Sequence, residues 1–291
     1  MQVIGRAVVL MDLLLRKLRN RKKQPSSSQT SGIETTGIHT RPGIKPSLVP
    51  NTREIFLVNY DNASHTLWRA QEFTLFARNR SLLVSPILDL GCGDGSFSSI
   101  LFNKLEYGID PDPNAIEIAK TLNIYGVLLN RPAEDTQLQN SSIRSVFSNS
   151  VLEHATNLDA IIKEMSRIII PGGVFMLTVP NEEFTTSMSK LFGFREAQRL
   201  NENEFFHRNL LSNEQWTGLL RKHDFEIIKL QNYQPDNLNF VFRLLRSPII
   251  RRLNKIIPLW NTQDILNLVD NSLKCQKGAG TFIIAKKGNS R

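Results

Sequence analysis

Three glycines at alternate positions, directly after a short apolar stretch, constrain this chain more than any other feature. Residues 87–95 read Ile-Leu-Asp-Leu-Gly-Cys-Gly-Asp-Gly, with the glycines at Gly91, Gly93 and Gly95. Because glycine has no Cβ, the backbone can turn sharply at these positions and lie close to a ligand. The Ser-Phe-Ser-Ser-Ile-Leu-Phe run that follows predicts a helix whose N-terminus faces that ligand. The stretch therefore predicts a strand, a ligand-binding loop and a helix.

A second apolar stretch ends in a carboxylate at a spacing typical of nucleotide-binding folds. Residues 107–110 predict the next strand, and its last residue, Asp110, lies 19 positions after Gly91. An acidic side chain at this place can accept hydrogen bonds from both hydroxyls of a ribose. A dinucleotide-binding loop would have glycine at position 96, but the chain has Ser96, and Asp89 precedes the first glycine.

With these features the chain resembles class I S-adenosylmethionine (SAM)-dependent methyltransferases of the small-molecule type. Three further blocks agree with the family: residues 131–135, residues 146–154 and residues 164–174. Two places depart from it, since Arg144 stands where an aspartate usually opens the fourth strand and residues 136–138 replace the usual Leu-Pro. The resemblance implies a doubly wound, mostly parallel, Rossmann-like α/β sheet of seven strands, the last of which is reversed.

The resemblance also implies roles for residues of the cofactor half, 87–181. The glycine loop faces the methionine end of SAM, and Asp89 fixes the loop or contacts the ammonium through water. Asp110 holds the ribose hydroxyls, with Asp112 as the alternative. For the adenine amino group, Asp135 is preferred over Glu134. The residues predicted to bind the cofactor are Asp89, Gly91, Gly93, Gly95, Asp110, Pro111, Glu134, Asp135, Ser148 and Asn149.

A catalytic base is needed only if the methyl acceptor must lose a proton, because the methyl carbon of a sulfonium is already activated. For a hydroxyl or phenol acceptor, histidine is the natural base. His154, just after the fourth predicted strand, and His207, in the predicted lid, are the two catalytic candidates, and a purely structural role is the alternative for each. His65 and Tyr60 are weaker candidates. No ligand spacing typical of a metal site stands out, and none is predicted.

The formal net charge of +9 suggests a nucleic-acid partner until it is divided along the chain. Residues 1–50 hold nine Lys or Arg against two acids, residues 51–236 hold 17 against 23, and residues 237–291 hold ten against two. Because the core is acidic, no nucleic-acid partner is expected. Both flanks are basic and rich in aliphatic residues, which favours contact with an anionic membrane surface.

Residues 1–23 predict an amphipathic basic helix, in which nine apolar side chains between Val3 and Leu18 share one face. Arg6 and Asp12 interrupt the apolar run well before the ~20 residues that would span a bilayer, so the predicted position is the membrane interface. Packing on the protein's own domain or on a second subunit is the alternative. A third interpretation takes residues 1–50 as an organellar transit peptide.

The chain divides into the basic helix 1–23, a flexible linker 24–50 and a methyltransferase domain 51–291. Within the domain, residues 182–274 form a lid and a helical insertion before the last strand, and the insertion occupies residues 236–274. Strands are predicted near 87–90, 106–110, 124–129, 144–149, 173–179, 225–230 and 281–285, and helices near 64–80, 96–104, 113–122, 157–169 and 212–223. The two cysteines indicate a reducing compartment, and the predicted location is cytoplasmic, with peripheral membrane attachment.

The sequence thus predicts methyl transfer from SAM to a small, lipophilic or membrane-carried acceptor, such as a quinone or a lipid-linked sugar, with oxygen favoured as the methylated atom. Enzymes that methylate amino groups of nucleic acids or of glutamine place Asp/Asn-Pro-Pro-aromatic after the fourth strand, whereas residues 148–151 read Ser-Asn-Ser-Val. The alternative is a membrane-tethered SAM-binding protein with little catalytic activity that acts through a partner.

Overall fold

The structure, a computed structural model, describes residues 63–236, 238–239, 269, 273 and 275–289. The helix and linker predicted within residues 1–50, and nearly all of the insertion predicted at 236–274, lie outside the described residues. Among the helices that are described, none combines the length and the apolar character needed to cross a membrane.

Seven strands form one sheet in the order β3-β2-β1-β4-β5-β7-β6. They are β1 Ile87–Leu90, β2 Leu105–Asp110, β3 Tyr125–Asn130, β4 Ile143–Asn149, β5 Ile169–Pro180, β6 Phe225–Tyr233 and β7 Gly280–Lys287. Strands β1 to β5 pair in parallel, whereas β7 runs antiparallel to both of its neighbours. The predicted mostly parallel, Rossmann-like sheet with a reversed last strand is confirmed.

Seven α-helices whose bounds lie within the described residues connect or flank these strands. They are α1 Ala63–Asn79, α2 Ser96–Leu101, α3 Pro113–Thr121, α4 Leu158–Ile168, α5 Glu182–Phe192, α6 Phe194–Leu200 and α7 Asn213–Lys222. The helix predicted near 64–80 corresponds to α1, and the one predicted near 212–223 corresponds to α7. Helices α5 and α6, with the π-helical turn Asn201–Phe205, lie in the segment predicted as a lid.

The sheet is covered by apolar helix faces on both sides. On one side, Phe76 of α1 makes edge-on ring contacts with Phe147 of β4 and Phe282 of β7, at centroid distances of 5.8 and 5.7 Å. On the other side, Met165 of α4 and Trp216 of α7 are completely buried in a second apolar cluster. Burying one such side chain contributes about 1.5–3 kcal/mol, so the two clusters hold the sheet rigid beneath its loops.

The fifth strand begins earlier than predicted, at Ile169 rather than near residue 173. Its Pro-Gly-Gly sequence suggested a turn. In the structure, β5 stays paired with β4 on both sides of this sequence, and the register of the pairing shifts there. Gly172 has a φ angle of +77°, and a Cβ at Gly173 would lie 2.7 Å from the carbonyl oxygen of Arg144. Glycine therefore allows the strand to bulge at a place where other residues would end it.

Candidate active site

The carboxyl ends of the parallel strands bring the predicted site residues to one edge of the sheet. In the register of the central strands, Asp89 of β1 lies opposite Gly108 of β2 and Phe147 of β4. The loops that follow these three strands are therefore adjacent, in the position where open α/β sheets bind their ligands.

The glycine loop after β1 is a tight turn. Its start is fixed by the amides of Gly91 and Cys92, which both donate to the carbonyl of Ile109 at 2.9 Å. The φ angles of its three glycines are +74° at Gly91, +52° at Gly93 and +77° at Gly95, in the region that favours glycine. The three glycines at alternate positions in the sequence thus adopt left-handed backbone conformations in the loop.

The surroundings of two of these glycines differ. A Cβ at Gly91 would lie 2.5 Å from both methyl carbons of Val151, in the loop after β4. At Gly93, apart from the glycine itself and its two neighbours in the chain, no atom of the described residues lies within 4 Å of the Cβ position. The first glycine thus allows two loops to pack together, whereas the second presents its backbone to open space.

Asp110 ends β2 beside this open space and is half-buried. Its Oδ2 accepts from the Gly93 amide at 2.8 Å, and its Oδ1 accepts from the Asp112 amide at 2.9 Å. Each carboxylate oxygen can accept a second hydrogen bond, as the two hydroxyls of a ribose would require. Asp112, the alternative, already accepts from the Asn114 amide as the N-cap of α3. Pro111, between the two acids, is exposed.

Asp89 lies beneath the glycine loop and is buried, with 3% of its surface exposed. Its Oδ2 accepts hydrogen bonds from the Ser98 hydroxyl of α2 at 2.5 Å and the Tyr125 hydroxyl of β3 at 2.6 Å. Burial raises the pKa of Asp89 to about 6, against the effect of these two hydrogen bonds. These contacts fasten α2 to the sheet beneath the glycine loop, as a loop-fixing role requires.

The loop after β3 presents Glu134 and Asp135 to solvent. Its next residue, Thr136, is buried and donates to Oε1 of Glu164 through its amide at 3.0 Å and its hydroxyl at 2.6 Å. Asp135 Oδ2 lies 3.9 Å from a guanidinium nitrogen of Arg131. The anchored threonine fixes the loop, and both candidate adenine ligands are free to face a ligand.

At the end of β4, Ser148 and Asn149 are both held by neighbouring strands. The buried Ser148 hydroxyl donates to the Leu90 carbonyl of β1 at 2.9 Å. Asn149 is half-buried, and its Oδ1 accepts from the Thr178 hydroxyl of β5 at 2.8 Å. Ser148 thus joins two strands, whereas Asn149 lies nearer the open edge.

The two candidate histidines lie together, although 52 residues separate them in the chain. Their ring centroids are 5.3 Å apart. His154 belongs to the 3-10 turn Leu152–His154 after β4, and His207 belongs to the lid. The lid is joined to this turn because the amides of Arg208 and Asn209 both donate to the carbonyl of Glu153, at 2.7 and 3.0 Å.

Burial favours the neutral form of both histidines. Burial lowers the pKa of His154 below its usual value. Burial, with His154 close by, lowers the pKa of His207 to about 3. A neutral imidazole keeps one nitrogen lone pair, with which it can accept a proton or bind a metal ion.

Glu153 is a site residue that the sequence analysis missed. Its side chain is 2% exposed, and burial raises its pKa to about 8, so that the carboxyl is protonated at neutral pH. The sequence signal that could have identified Glu153 is its position, directly before His154 and after the fourth predicted strand. Of the two weaker candidates, Tyr60 lies outside the described residues and the structure describes no side chain for His65.

Aromatic side chains pack against one another beside the histidines. Phe184 of α5 lies 5.0 Å, centroid to centroid, from both Phe205 and His207. It also makes an edge-on contact with Trp68 of α1 at 5.8 Å. The neutral histidines therefore lie next to a largely apolar surface.

Comparison with known proteins agrees with this geometry. Residues 88–177 match the family described as "Methyltransferase domain". An uncharacterized methyltransferase of Schizosaccharomyces pombe is 30% identical over 31% of this chain and 38% of its own length. The malonyl-[acyl-carrier protein] O-methyltransferase of Yersinia pestis is 26% identical over 48% of this chain and 53% of its own length. The chain thus spans about half or less of the curated relatives that it matches.

Solved structures agree in fold. A SAM-dependent methyltransferase of Thermotoga maritima, described as a possible histamine N-methyltransferase, superposes with a TM-score of 0.53 over 81% of this chain and 95% of its own, at 18% identity. At this identity the likeness concerns the fold. Together with the family match, it shows that residues 88–177 carry a methyltransferase domain within the fold of SAM-dependent methyltransferases, which agrees with S-adenosyl-L-methionine as the predicted cofactor.

Proposed function

We propose that this protein transfers the methyl group of SAM to an oxygen atom of a small, lipophilic or membrane-carried acceptor. The observation that carries the proposal is the neutral histidine pair beside the glycine loop. Val151 packs at Gly91 of that loop, and His154 follows it by three residues and lies next to His207. An acceptor between loop and histidines would have a proton-accepting group within reach.

The residues of the loop fit SAM in two respects. The Gly93 backbone borders open space, and Asp110 keeps accepting capacity on both carboxylate oxygens. Asp110 would hold the ribose hydroxyls, the glycine loop the methionine end, and Glu134 or Asp135 the adenine amino group. When bound, SAM supplies a methyl group on a positively charged sulfur, which needs no further activation by the protein.

The acceptor class is inferred from the lid. Phe184 and Phe205 give the acceptor space an apolar wall, which favours a lipophilic molecule and helps to exclude water. Phe194 and Phe206, also in the lid, are 68% and 62% exposed, as expected for a surface that a membrane-carried acceptor approaches. The name of the Yersinia relative, an O-methyltransferase, supports oxygen as the methylated atom.

In this proposal His154 accepts the proton of the acceptor hydroxyl, and His207 orients the acceptor beside it. The test supplies SAM labelled in its methyl group together with membrane and small-molecule extracts. His154→Ala should lower label transfer to the acceptor by about 100-fold or more while SAM affinity stays unchanged.

The matched control is His223→Ala. His223 bonds to Asp159 at 2.9 Å at the end of α7, and its loss should leave label transfer unchanged. Label transfer by His154→Ala at the wild-type rate would contradict the assigned role. If the wild-type protein labels no acceptor, methyl transfer itself is refuted.

A further inference from the structure

Three side chains beside the glycine loop direct potential metal ligands into one small volume. Glu153, His154 and His207 each offer one ligand atom, and these atoms all lie within 4.8 Å of one another. Oε1 of Glu153 and Nε2 of His154 are 3.7 Å apart. These three residues are called the Glu-His-His cluster below.

Two atoms of the Glu-His-His cluster are buried without a partner. Among the described residues, neither Oε2 of Glu153 nor Nδ1 of His207 has a hydrogen-bond partner. The Glu153 side chain is 98% buried. Buried polar atoms are almost always paired, and two unpaired atoms in one cluster indicate a group that binds both. A cation can take the acid oxygen and the imidazole nitrogen at the same time.

The backbone holds the two segments of the cluster in place. Besides the amides of Arg208 and Asn209 on the Glu153 carbonyl, the side-chain amide of Asn209 donates to the carbonyls of Leu152 at 3.0 Å and Ala155 at 2.7 Å. The lid and the turn that carry the three ligands are thus joined by four hydrogen bonds. A site whose ligands come from two distant segments requires this kind of support.

One histidine also has the second contact that metal-binding histidines usually have. Nδ1 of His154 lies 3.4 Å from the Phe206 carbonyl. A proton on Nδ1 would face this oxygen, which leaves the lone pair on Nε2, the nitrogen nearer to Glu153.

We propose that Glu153, His154 and His207 bind one divalent transition-metal ion through one carboxylate oxygen and two imidazole nitrogens, and that the ion displaces the proton of Glu153 to water. This ligand set suits Zn²⁺, Fe²⁺, Mn²⁺ or Co²⁺, and three protein ligands leave coordination positions open. His154, with 48% of its side chain exposed, borders the solvent side of the cluster, so an acceptor can reach these positions.

The role of the ion rests on the proposed function. An acceptor hydroxyl bound to the metal loses its proton more easily. Its O–H bond breaks, the proton goes to water, and the oxygen keeps the electron pair that forms the new bond to the methyl carbon. The electron pair of the broken carbon–sulfur bond stays on sulfur. His154 then acts as a metal ligand, and the metal replaces it in promoting proton loss.

Metal binding can be measured without any acceptor. The full-length, tag-free protein is stripped with a chelator, dialysed and titrated with Zn²⁺ by calorimetry, and separately with Co²⁺ by visible absorption. We expect one ion per chain, and a loss of affinity of about 100-fold or more in Glu153→Gln and in His207→Ala. SAM titration and circular dichroism of the same samples check that each variant is folded.

Two control variants, His223→Ala and Cys275→Ser, each remove a side chain of a metal-binding type outside the cluster. Both should bind Zn²⁺ as the wild type does. Absence of one-to-one binding, or equal Zn²⁺ affinity in wild type and both cluster variants, would overturn the metal site. Full methyl transfer by stripped protein would overturn its catalytic role. In that last case the proposed function stands without the metal, so the two failures are distinguishable.

Discussion

Gly91 and Gly93 share positive φ angles, +74° and +52°, but differ in what an added methyl group would meet. At Gly91 the new carbon would lie 2.5 Å from the methyl carbons of Val151, whereas at Gly93 no described atom beyond the glycine and its two chain neighbours lies within 4 Å. Alanine at either position takes on the strain of the left-handed conformation, about 1–2 kcal/mol. Only Gly91→Ala adds a collision inside the fold, which costs about 1–3 kcal/mol more.

We therefore expect Gly93→Ala to melt about 2–8 °C below the wild type, and Gly91→Ala several degrees lower still, since 1 kcal/mol corresponds to about 2–4 °C for a domain of this size. The methyl group of Gly93→Ala would instead occupy space that SAM requires, so SAM affinity should fall at least about 10-fold in a folded protein. Differential scanning calorimetry and SAM titration measure the two effects. Wild-type SAM affinity in Gly93→Ala would refute this reasoning.

Two further predictions concern pH and the membrane. Because burial raises the pKa of Glu153 from 4.5 to about 8, the folded state keeps a proton that the unfolded chain releases, and stability falls as pH rises through this range. Denaturant unfolding in chelator should show a loss of about 2 kcal/mol between pH 6.5 and 8 that Glu153→Gln lacks, and equal slopes would contradict the assignment. Deletion of residues 1–23 should abolish flotation with anionic vesicles and leave SAM affinity intact, because each basic side chain adds up to about 1 kcal/mol. Failure of the full-length protein to float at low salt would refute membrane attachment.

The features that the sequence predicted well are those in which a few neighbouring residues determine the local structure. The glycine loop is one such case, because its three residues have positive φ angles, which favour glycine. The start of α7 is another, since Ser212 and Gln215 form the reciprocal capping box that their spacing predicts. Strand positions followed in the same way from apolar runs, and the reversed last strand followed from the family resemblance.

The features that were missed depend on which distant segments the fold brings together. Glu72, in α1, looks like a solvated charge in the sequence, yet it is fully buried and accepts from Trp68 at 2.8 Å and from Tyr233 of β6 at 3.0 Å. Its carboxylate also accepts from Ser150 after β4. Glu153 was missed for the same reason, because Arg208 and Asn209, which bond to its carbonyl, come more than 50 residues later in the chain.

The most direct test of the central claim is the SAM affinity of the wild type, Asp110→Ala and Asp112→Ser by calorimetry. The account predicts that the wild type binds SAM and that Asp110→Ala binds about 10- to 150-fold more weakly, because the ribose hydroxyls lose a charged acceptor worth about 1.5–3 kcal/mol. Asp112→Ser keeps a side-chain oxygen to cap α3 and should bind as the wild type does. A wild-type protein without SAM affinity, or an Asp110→Ala variant that binds SAM equally well, would contradict the account.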